Sequence, residues 1–525
     1  MEVTTMKITK MDYAATGAFS QTIADYLARN EKLKPFYNRF PTIDAFEGQL
    51  QEKSFSAAQR QVLHKALQEQ YSSVSEINPK VQQNLDLLLQ PNTYTITTGH
   101  QLNIFTGPLY FVYKIVTAIN TCKQLQAAYP DYNFVPVYWM ATEDHDFAEI
   151  NHFNLFGKKY TWESEQKGAV GRFATEGINK LLDELPEQFP VFETAYRNSK
   201  NLADATRAIT HSLFGEYGLV TIDGDHADLK KALTPIVEKE LTENLSHKLV
   251  TETSTQLEQL GYKPQVYSRE INLFYLADGL RERIVQEDSN YKVLNTGMSF
   301  TQEEILQLAQ EHPEQFSPNV ILRPLYEELI LPNLAYIGGG AEVVYWFQLK
   351  QVFEHYNVAF PVLILRNSAL YINRGNAGRM HKLGLTAEEL FKPYLELKKH
   401  LSSQLHDEEI TLEAQRQTIE AAFKEVEKLA QTIDPTLVKA VAAEEQKAHN
   451  ALHILEKKLI KARDSKHEQT FKQLENLKEK LFPGGSLQER HDNLLSIQAN
   501  NPDFIAALAD AFDPLEFKFT ILEEA

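Results

Sequence analysis

Glu143, Asp144, His145 and Asp146 place four ionisable side chains in succession, with Glu149 close behind. Crowding carboxylates around an imidazole costs free energy unless a cation, a substrate amine or proton transfer makes use of them. Such a group suits a magnesium ion, an amine or general acid–base catalysis, and the sequence leaves all three open beside the plain alternative of a solvated acidic turn. A second candidate is the stretch Thr98 to Pro108, which holds Gly99, His100, Gln101, Thr106 and Gly107 and is followed by Lys114. Glycines permit tight turns there and Pro108 suits a helix start, so the loop reads as an anion cradle built from N–H groups and a helix dipole. A third lies further on, where Arg323 is followed by the run Gly338-Gly339-Gly340 and then Glu342 ahead of a helix. The triple glycine permits close approach of a ligand or simply a tight connection, and it lacks the spacing of a dinucleotide fingerprint or a P-loop.

These residues need a scaffold, and hydrophobic patterning supplies one. Thr93 to Thr97 are β-branched and aromatic, whereas Leu109, Val112, Ile115, Val116 and Ile119 fall at helical spacing, which predicts strand, loop and helix. Phe134 to Ala141 is an apolar run of the kind buried on both faces of a parallel sheet. Strand, helix and strand form a βαβ unit, whose ligands gather beyond the carboxyl ends of the strands, where Glu143 to Asp146 fall. Tyr217 to Asp225 reads as a third strand ending in another acidic turn, and Pro361 to Arg366 as the last core strand.

Composition bounds the remainder. A chain of 525 residues with 43% hydrophobic and 10% aromatic content can bury a large core and exceeds one domain. The net charge of -18 argues against broad nucleic-acid binding. Cys122 is the single cysteine, which excludes an internal disulfide and a multi-thiolate zinc site. With no basic-then-apolar leader and no run long enough to span a bilayer, a cytoplasmic protein with no membrane partner is expected.

In order, residues 1–90 read as a helical N-terminal part of the core, 91–150 and 211–384 as two halves of an α/β sheet domain, and 151–210 as an insertion. No glycine occurs between Gly384 and Gly484, and leucines and isoleucines recur at three, four and seven among Lys, Glu and Gln. Residues 385–482 therefore read as an antiparallel coiled coil of two long helices broken at Asp434-Pro435. The tail 483–525 is expected to pack on the core.

The combination T-G-H-Q with T-G-P-L-Y-x-x-x-K from Thr98 to Lys114, Y-W-M-A-T-E-D-H-D-F-A-E-I-N from Tyr138 to Asn151, R-P-L at Arg323 and G-G-G-A-E at Gly338 resembles one family. It is the cysteine-adding enzymes of bacillithiol biosynthesis, the BshC family of cysteine ligases, and the resemblance runs over nearly the whole chain. It implies a Rossmann-like core resembling class I aminoacyl-tRNA synthetases, an inserted connecting domain, and a coiled coil through which two subunits pair. It also implies that cysteine is joined as an amide to the amine of glucosaminyl malate, with ATP as co-substrate, magnesium allowed and no zinc. Gly99-His100-Gln101 lies where those synthetases place H-I-G-H without spelling it, and no K-M-S-K-S counterpart is present.

On this basis His100, Gln101, Glu143, Asp144, His145 and Asp146 are the expected catalytic group. The acidic members would hold the glucosamine amine and remove its proton. Gly99, Thr106, Gly107 and Lys114 would hold phosphates or the activated acyl group. Arg323 would pair with the malate carboxylates, Gly339 would border the ligand, and Glu342 would take the cysteine ammonium. Two readings from other classes stay open: a nucleotide-binding scaffold with an interaction arm, and a sugar-nucleotide transferase on a similar core.

Overall fold

A computed structural model describes residues 6–404, 411–465 and 468–525. The chain divides into two compact units, one of residues 1–371 with 486–522, the other of 372–485 with 523–525.

The first unit is built on a five-stranded parallel sheet. Its strands and helices include β1 (Thr93–His100), α1 (Tyr110–Ala128), β2 (Asn133–Met140), β3 (Val220–Asp223), α2 (Arg323–Ile330), β4 (Asn333–Gly338), α3 (Gly340–Phe347) and β5 (Val362–Leu365). The spatial order is β5-β4-β1-β2-β3, and every pair is parallel. Successive strands run outward from β1 to β2 and β3, then restart on its other side with β4 and β5. The crevice between β1 and β4 is therefore a topological switch point, where open α/β sheets bind ligands.

The strands that flank this crevice are buried on both faces, which is why they read as nearly continuous β-branched and apolar runs. Helix α1 is buried on almost every side, well beyond the Leu109 to Ile119 stripe. Part of its cover is the helix Phe504–Ala511, whose neighbourhood accepts two hydrogen bonds of 2.8 Å from Asn120 Nδ2, at the carbonyls of Ala509 and Phe512.

Two features depart from the sequence reading. Residues Met6–Asp12 are a strand rather than part of a helical segment, sharing a three-stranded sheet with Lys518–Glu524 and Ala369–Ile372. Lys10 Nζ reaches Thr520 Oγ1 at 3.1 Å, so the partner that makes this segment extended lies at the far end of the chain. A further sheet, antiparallel and five-stranded, was unforeseen. Its central hairpin pairs Leu273–Ala277 with Leu280–Glu287 across the two-residue turn Asp278-Gly279, with Gly279 at φ 67°.

The second unit contains the hairpin, formed by α4 (Glu413–Ile433) and α5 (Val438–Ser465). The break falls at Asp434 and Pro435, where the Asp434 side chain caps the next turn. The arm is shorter than the 385–482 expected. Leu474, Leu477 and Leu481 do not belong to its seam; they are buried in the helix Glu468–Leu481, which packs on the helices Arg374–Lys382 and Tyr394–Gln404. Leucines at three and four mark an apolar helix face without saying what covers it.

Candidate active site

A cavity of about 670 Å³ opens at the carboxyl ends of β1, β2 and β4. At Gly99, the residue before the last of β1, a Cβ would sit a tight 3.2 Å from the Tyr336 hydroxyl and in ordinary contact with Arg323 Nη1 at 3.7 Å. Lys114 looks back from α1, as side chains on a helix lean toward its N-terminus. Its Nζ donates to the Gly99 carbonyl at 2.7 Å and to the carboxylate of Glu342, in the first turn of α3. The Tyr336 hydroxyl donates to the other Glu342 oxygen at 3.1 Å. One ion pair thus ties β1 and α1 to β4 and α3 across the switch point. Burial lowers the Lys114 pKa, and Glu342 opposes the shift.

Across the cavity, Glu143 is not a solvated strand-end carboxylate. It is buried against Lys230, a fully buried lysine that also donates to the Phe316 carbonyl at 2.7 Å. Asp144 is held differently. Its Oδ1 accepts the N–H groups of His145 (2.7 Å) and Asp146 (3.2 Å), and its Oδ2 accepts from Gln101 Nε2 at 2.7 Å. The same Gln101 nitrogen donates to Glu149 at 2.8 Å, so one amide braces two carboxylates.

His145 faces Arg281, whose Nη1 lies 2.7 Å from the ring Nδ1. A guanidinium only donates, so Nδ1 accepts and the imidazole is neutral with its proton on Nε2. Burial, then Arg281, lowers its pKa in accord with this. Asp146 is exposed. Glu143, Asp144 and His145 thus turn to three separate partners, and among the described residues no group of three His, Cys, Asp or Glu side chains is disposed to hold a metal ion.

His100 borders the cavity between the rings of Tyr110 and Phe111, each 5.3 Å away. Burial first, then Lys114 and Arg366, pushes its pKa well below the usual value, which leaves a neutral imidazole. Arg323 donates to Glu327 at 2.6 Å and to the Tyr345 hydroxyl at 3.4 Å, and its guanidinium lies 5.7 Å from the Tyr336 ring centre. Burial raises the Glu327 carboxyl to about 7, with Arg323 opposing. Gly339 lines the cavity.

The anion cradle does not form as read. Thr106 and Gly107 are buried outside the cavity lining, in a turn where Asn493 Nδ2 donates to the carbonyls of Phe105 and Gly107, both at 2.7 Å. Phe105 N donates to the Tyr196 hydroxyl and Leu109 N to the Asp492 carbonyl, each at 2.8 Å. The chain itself therefore takes up N–H groups that an anion would have needed, through contacts to residues 91 positions away at Tyr196 and much further along at Asp492.

Residues 6–367 match the Rossmann-like domain described as "Bacillithiol biosynthesis BshC, N-terminal Rossmann-like domain", and residues 369–524 the matching C-terminal coiled-coil domain. The chain belongs to the BshC family of bacillithiol biosynthesis. A relative from Flavobacterium psychrophilum, named "Putative cysteine ligase BshC", is 44% identical over 98% of this chain and 99% of its own length. One of the same name from Flavobacterium johnsoniae is also 44% identical, with the same coverage. A third, from Chlorobaculum tepidum, is 30% identical over 82% of each chain. The solved structure of a "putative arginyl T-RNA synthetase" from Campylobacter jejuni aligns over 87% of this chain and 96% of that one, at 11% identity and a TM-score of 0.23.

The main omission of the sequence reading is a set of guanidiniums. Arg269, Arg281 and Arg283 line one side of the cavity, and Arg366 and Arg490 also border it. Arg281 and Arg283 carried a signal, since residues two apart on a strand share a face. Arg366 follows β5, and its Nη2 donates to the buried Glu489 at 2.6 Å. Lys230 gave no signal at all, because only the fold brings it to Glu143.

Proposed function

We propose that this chain is a carbon–nitrogen ligase that joins cysteine to the amine of glucosaminyl malate, using ATP to activate the cysteine carboxylate. The supporting observation is the placement of Glu342 and Arg323 around the Tyr336 ring beside Gly99. A carboxylate and a guanidinium separated by one ring suit the ammonium and carboxyl groups of an α-amino acid. The relatives' name, cysteine ligase, supplies the amino acid.

In this reading the cysteine carboxylate attacks a phosphorus of ATP and gives a mixed anhydride, releasing pyrophosphate if the α-phosphorus is attacked or ADP if the γ-phosphorus is. The sugar amine then attacks the acyl carbon, the C–N bond forms, and the C–O bond to phosphate breaks. Asp144, steadied by Gln101 and two backbone N–H groups, takes the proton that the amine loses. Lys114 and Arg366 stabilise charge on the acyl oxygens and the leaving phosphate. Magnesium arrives with the ATP phosphates. The hairpin pairs two copies of the chain, and the enzyme works in the cytoplasm. Among the described residues no helix is long and apolar enough to cross a membrane.

The test incubates purified protein with cysteine, glucosaminyl malate and ATP and looks for the joined thiol by mass spectrometry; AMP or ADP in the mixture identifies the phosphoryl group attacked. Asp144→Asn is expected to lower turnover by at least tenfold while leaving Tm within a few degrees. A protein that binds nucleotide in calorimetry yet ignores both other substrates is a scaffold, and one that turns over only with a sugar nucleotide is a transferase. Either result overturns the ligase reading.

A further inference from the structure

The cavity belongs to a chain of net charge -18, yet it gathers guanidiniums. Most are already engaged. Arg323 donates to Glu327, and Arg366 to Glu489. Arg281 spends all three nitrogens, on Ser317 Oγ (3.0 Å), the Pro318 carbonyl (3.2 Å) and His145, and lies 3.9 Å from the centre of the Phe274 ring. Arg269 and Arg283 are different: both line the cavity, and neither side chain donates to any group among the described residues.

The antiparallel register explains why they collect on one wall. Arg283 is paired across the hairpin with Phe274, and Arg281 with Leu276. Cross-strand partners share a face, so both arginines lie on the face that presents Phe274 to the cavity. Glu282, between them in sequence, belongs to the opposite face, where its carboxylate accepts from Asn295 at 3.0 Å. The chain thus sets like charges on one face and turns the intervening acid away, an arrangement unfavourable until an anion enters. Arg269 reaches the same cavity from the loop that precedes the strand.

We propose that Arg269 and Arg283 bind the two carboxylates of the malate half of the acceptor, and so set acceptor choice, with Arg281 as the fixed positive plane beside them. This rests on the ligase reading for the identity of the acceptor. It also moves the malate to the hairpin wall from Arg323, which the ligase reading gives to the cysteine carboxyl group. A planar guanidinium suits a carboxylate in bidentate fashion, and two of them suit a dicarboxylate better than a monoanion. The sugar amine then extends from this wall toward Asp144, in the turn that follows β2.

The test measures binding of glucosaminyl malate and of glucosamine, which lacks the malate, by calorimetry. Arg269→Gln and Arg283→Gln are each expected to weaken glucosaminyl malate at least tenfold and to leave glucosamine, cysteine and ATP within twofold of wild type. Lys292→Gln, which removes an exposed lysine on the neighbouring strand paired with Glu287, serves as the charge control and is expected to change nothing. Variants that bind glucosaminyl malate as wild type does, or that lose cysteine and ATP equally, overturn the assignment. Wild-type protein that binds glucosaminyl malate through these arginines but forms no joined thiol overturns the ligase reading and leaves the acceptor wall standing. Wild type that makes the thiol while both variants keep its KM does the reverse.

Discussion

Glu143 and Arg283 both face the cavity, and the fold treats them in opposite ways. Glu143 is closed off within the protein: Lys230, fully buried, meets its charge and is itself anchored on the Phe316 carbonyl. The Lys114–Glu342 pair repeats this across the switch point. Arg283 and Arg269 have no such partner among the described residues, although guanidiniums elsewhere in the cavity do. Closed pairs also fix where strand ends and helices stand, whereas open charges have no partner among the described residues to share with a ligand.

The largest way to break this contrast is to open a closed pair. Lys230→Met keeps an apolar stem of similar length and leaves Glu143 buried without its cation, which is expected to cost about 3–5 kcal/mol in denaturant unfolding. Replacing both partners, as Lys230→Met with Glu143→Leu, should recover much of that loss, because an apolar pair needs no desolvated charge. A Lys230→Met protein within about 1 kcal/mol of wild type would mean that Glu143 finds water or another cation, and the contrast with Arg283 would collapse.

The same contrast shows what the sequence could carry. β1, α1 and β2 were legible because each is defined by its own periodicity, and the carboxyl-end position of Glu143 and Asp144 followed from the βαβ rule. That Glu143 is buried was not legible, since Lys230 lies 87 residues away and reaches it only through the packing of another segment. Thr106 and Gly107 misled for a related reason. Their spacing is that of an anion loop, but whether the N–H groups face a ligand or are taken by Tyr196 and Asp492 depends on contacts far along the chain. The Met6–Asp12 strand fails in the same way, through its distant partner. The paired arginines of Leu280–Glu287 were readable by period two, and the Asp278-Gly279 turn before them marks a hairpin.

Asp223 lies between the two kinds of charge and sharpens the comparison at smaller amplitude. It accepts from the Thr142 hydroxyl and from Asp225 N at 2.8 Å, yet burial first and Asp225 second raise its pKa from 3.8 to about 6. With the folded value above the unfolded one, the native state holds more protons between those two pH values. The contribution of Asp223 to stability is therefore greatest below about pH 4, falls as pH rises through 6, and stays lower beyond, by no more than about 3 kcal/mol. Asp223→Asn keeps an acceptor oxygen and cannot ionise. Its stability relative to wild type is expected to rise between pH 4 and pH 7.5, whatever constant offset the substitution carries. A difference that stays flat across that range, in thermal or denaturant unfolding, would show Asp223 to be fully solvated or neutralised.

The smallest expected effect on stability extends the contrast from charge to apolar surface. In the first unit leucines and isoleucines of α1 are buried, whereas on the hairpin Leu429 is 60% and Ile433 71% exposed, with Val426 a turn before on the same face of α4. Positions 426, 429 and 433 follow the spacing of one helical stripe, and α5 adds Leu455 and Leu459. These side chains are left open by their own unit, as Arg283 is by the cavity, and the occupant proposed for them is a second copy of the chain. Because they are exposed, Leu429→Ser combined with Ile433→Ser is expected to cost the monomer no more than about 0.5 kcal/mol per site. Wild type should sediment as a dimer and the double variant as a monomer with the same unfolding midpoint at low concentration, where association no longer contributes. A double variant that still sediments as a dimer would place the contact elsewhere, and a wild type that is monomeric at micromolar concentration would leave the stripe to a different partner.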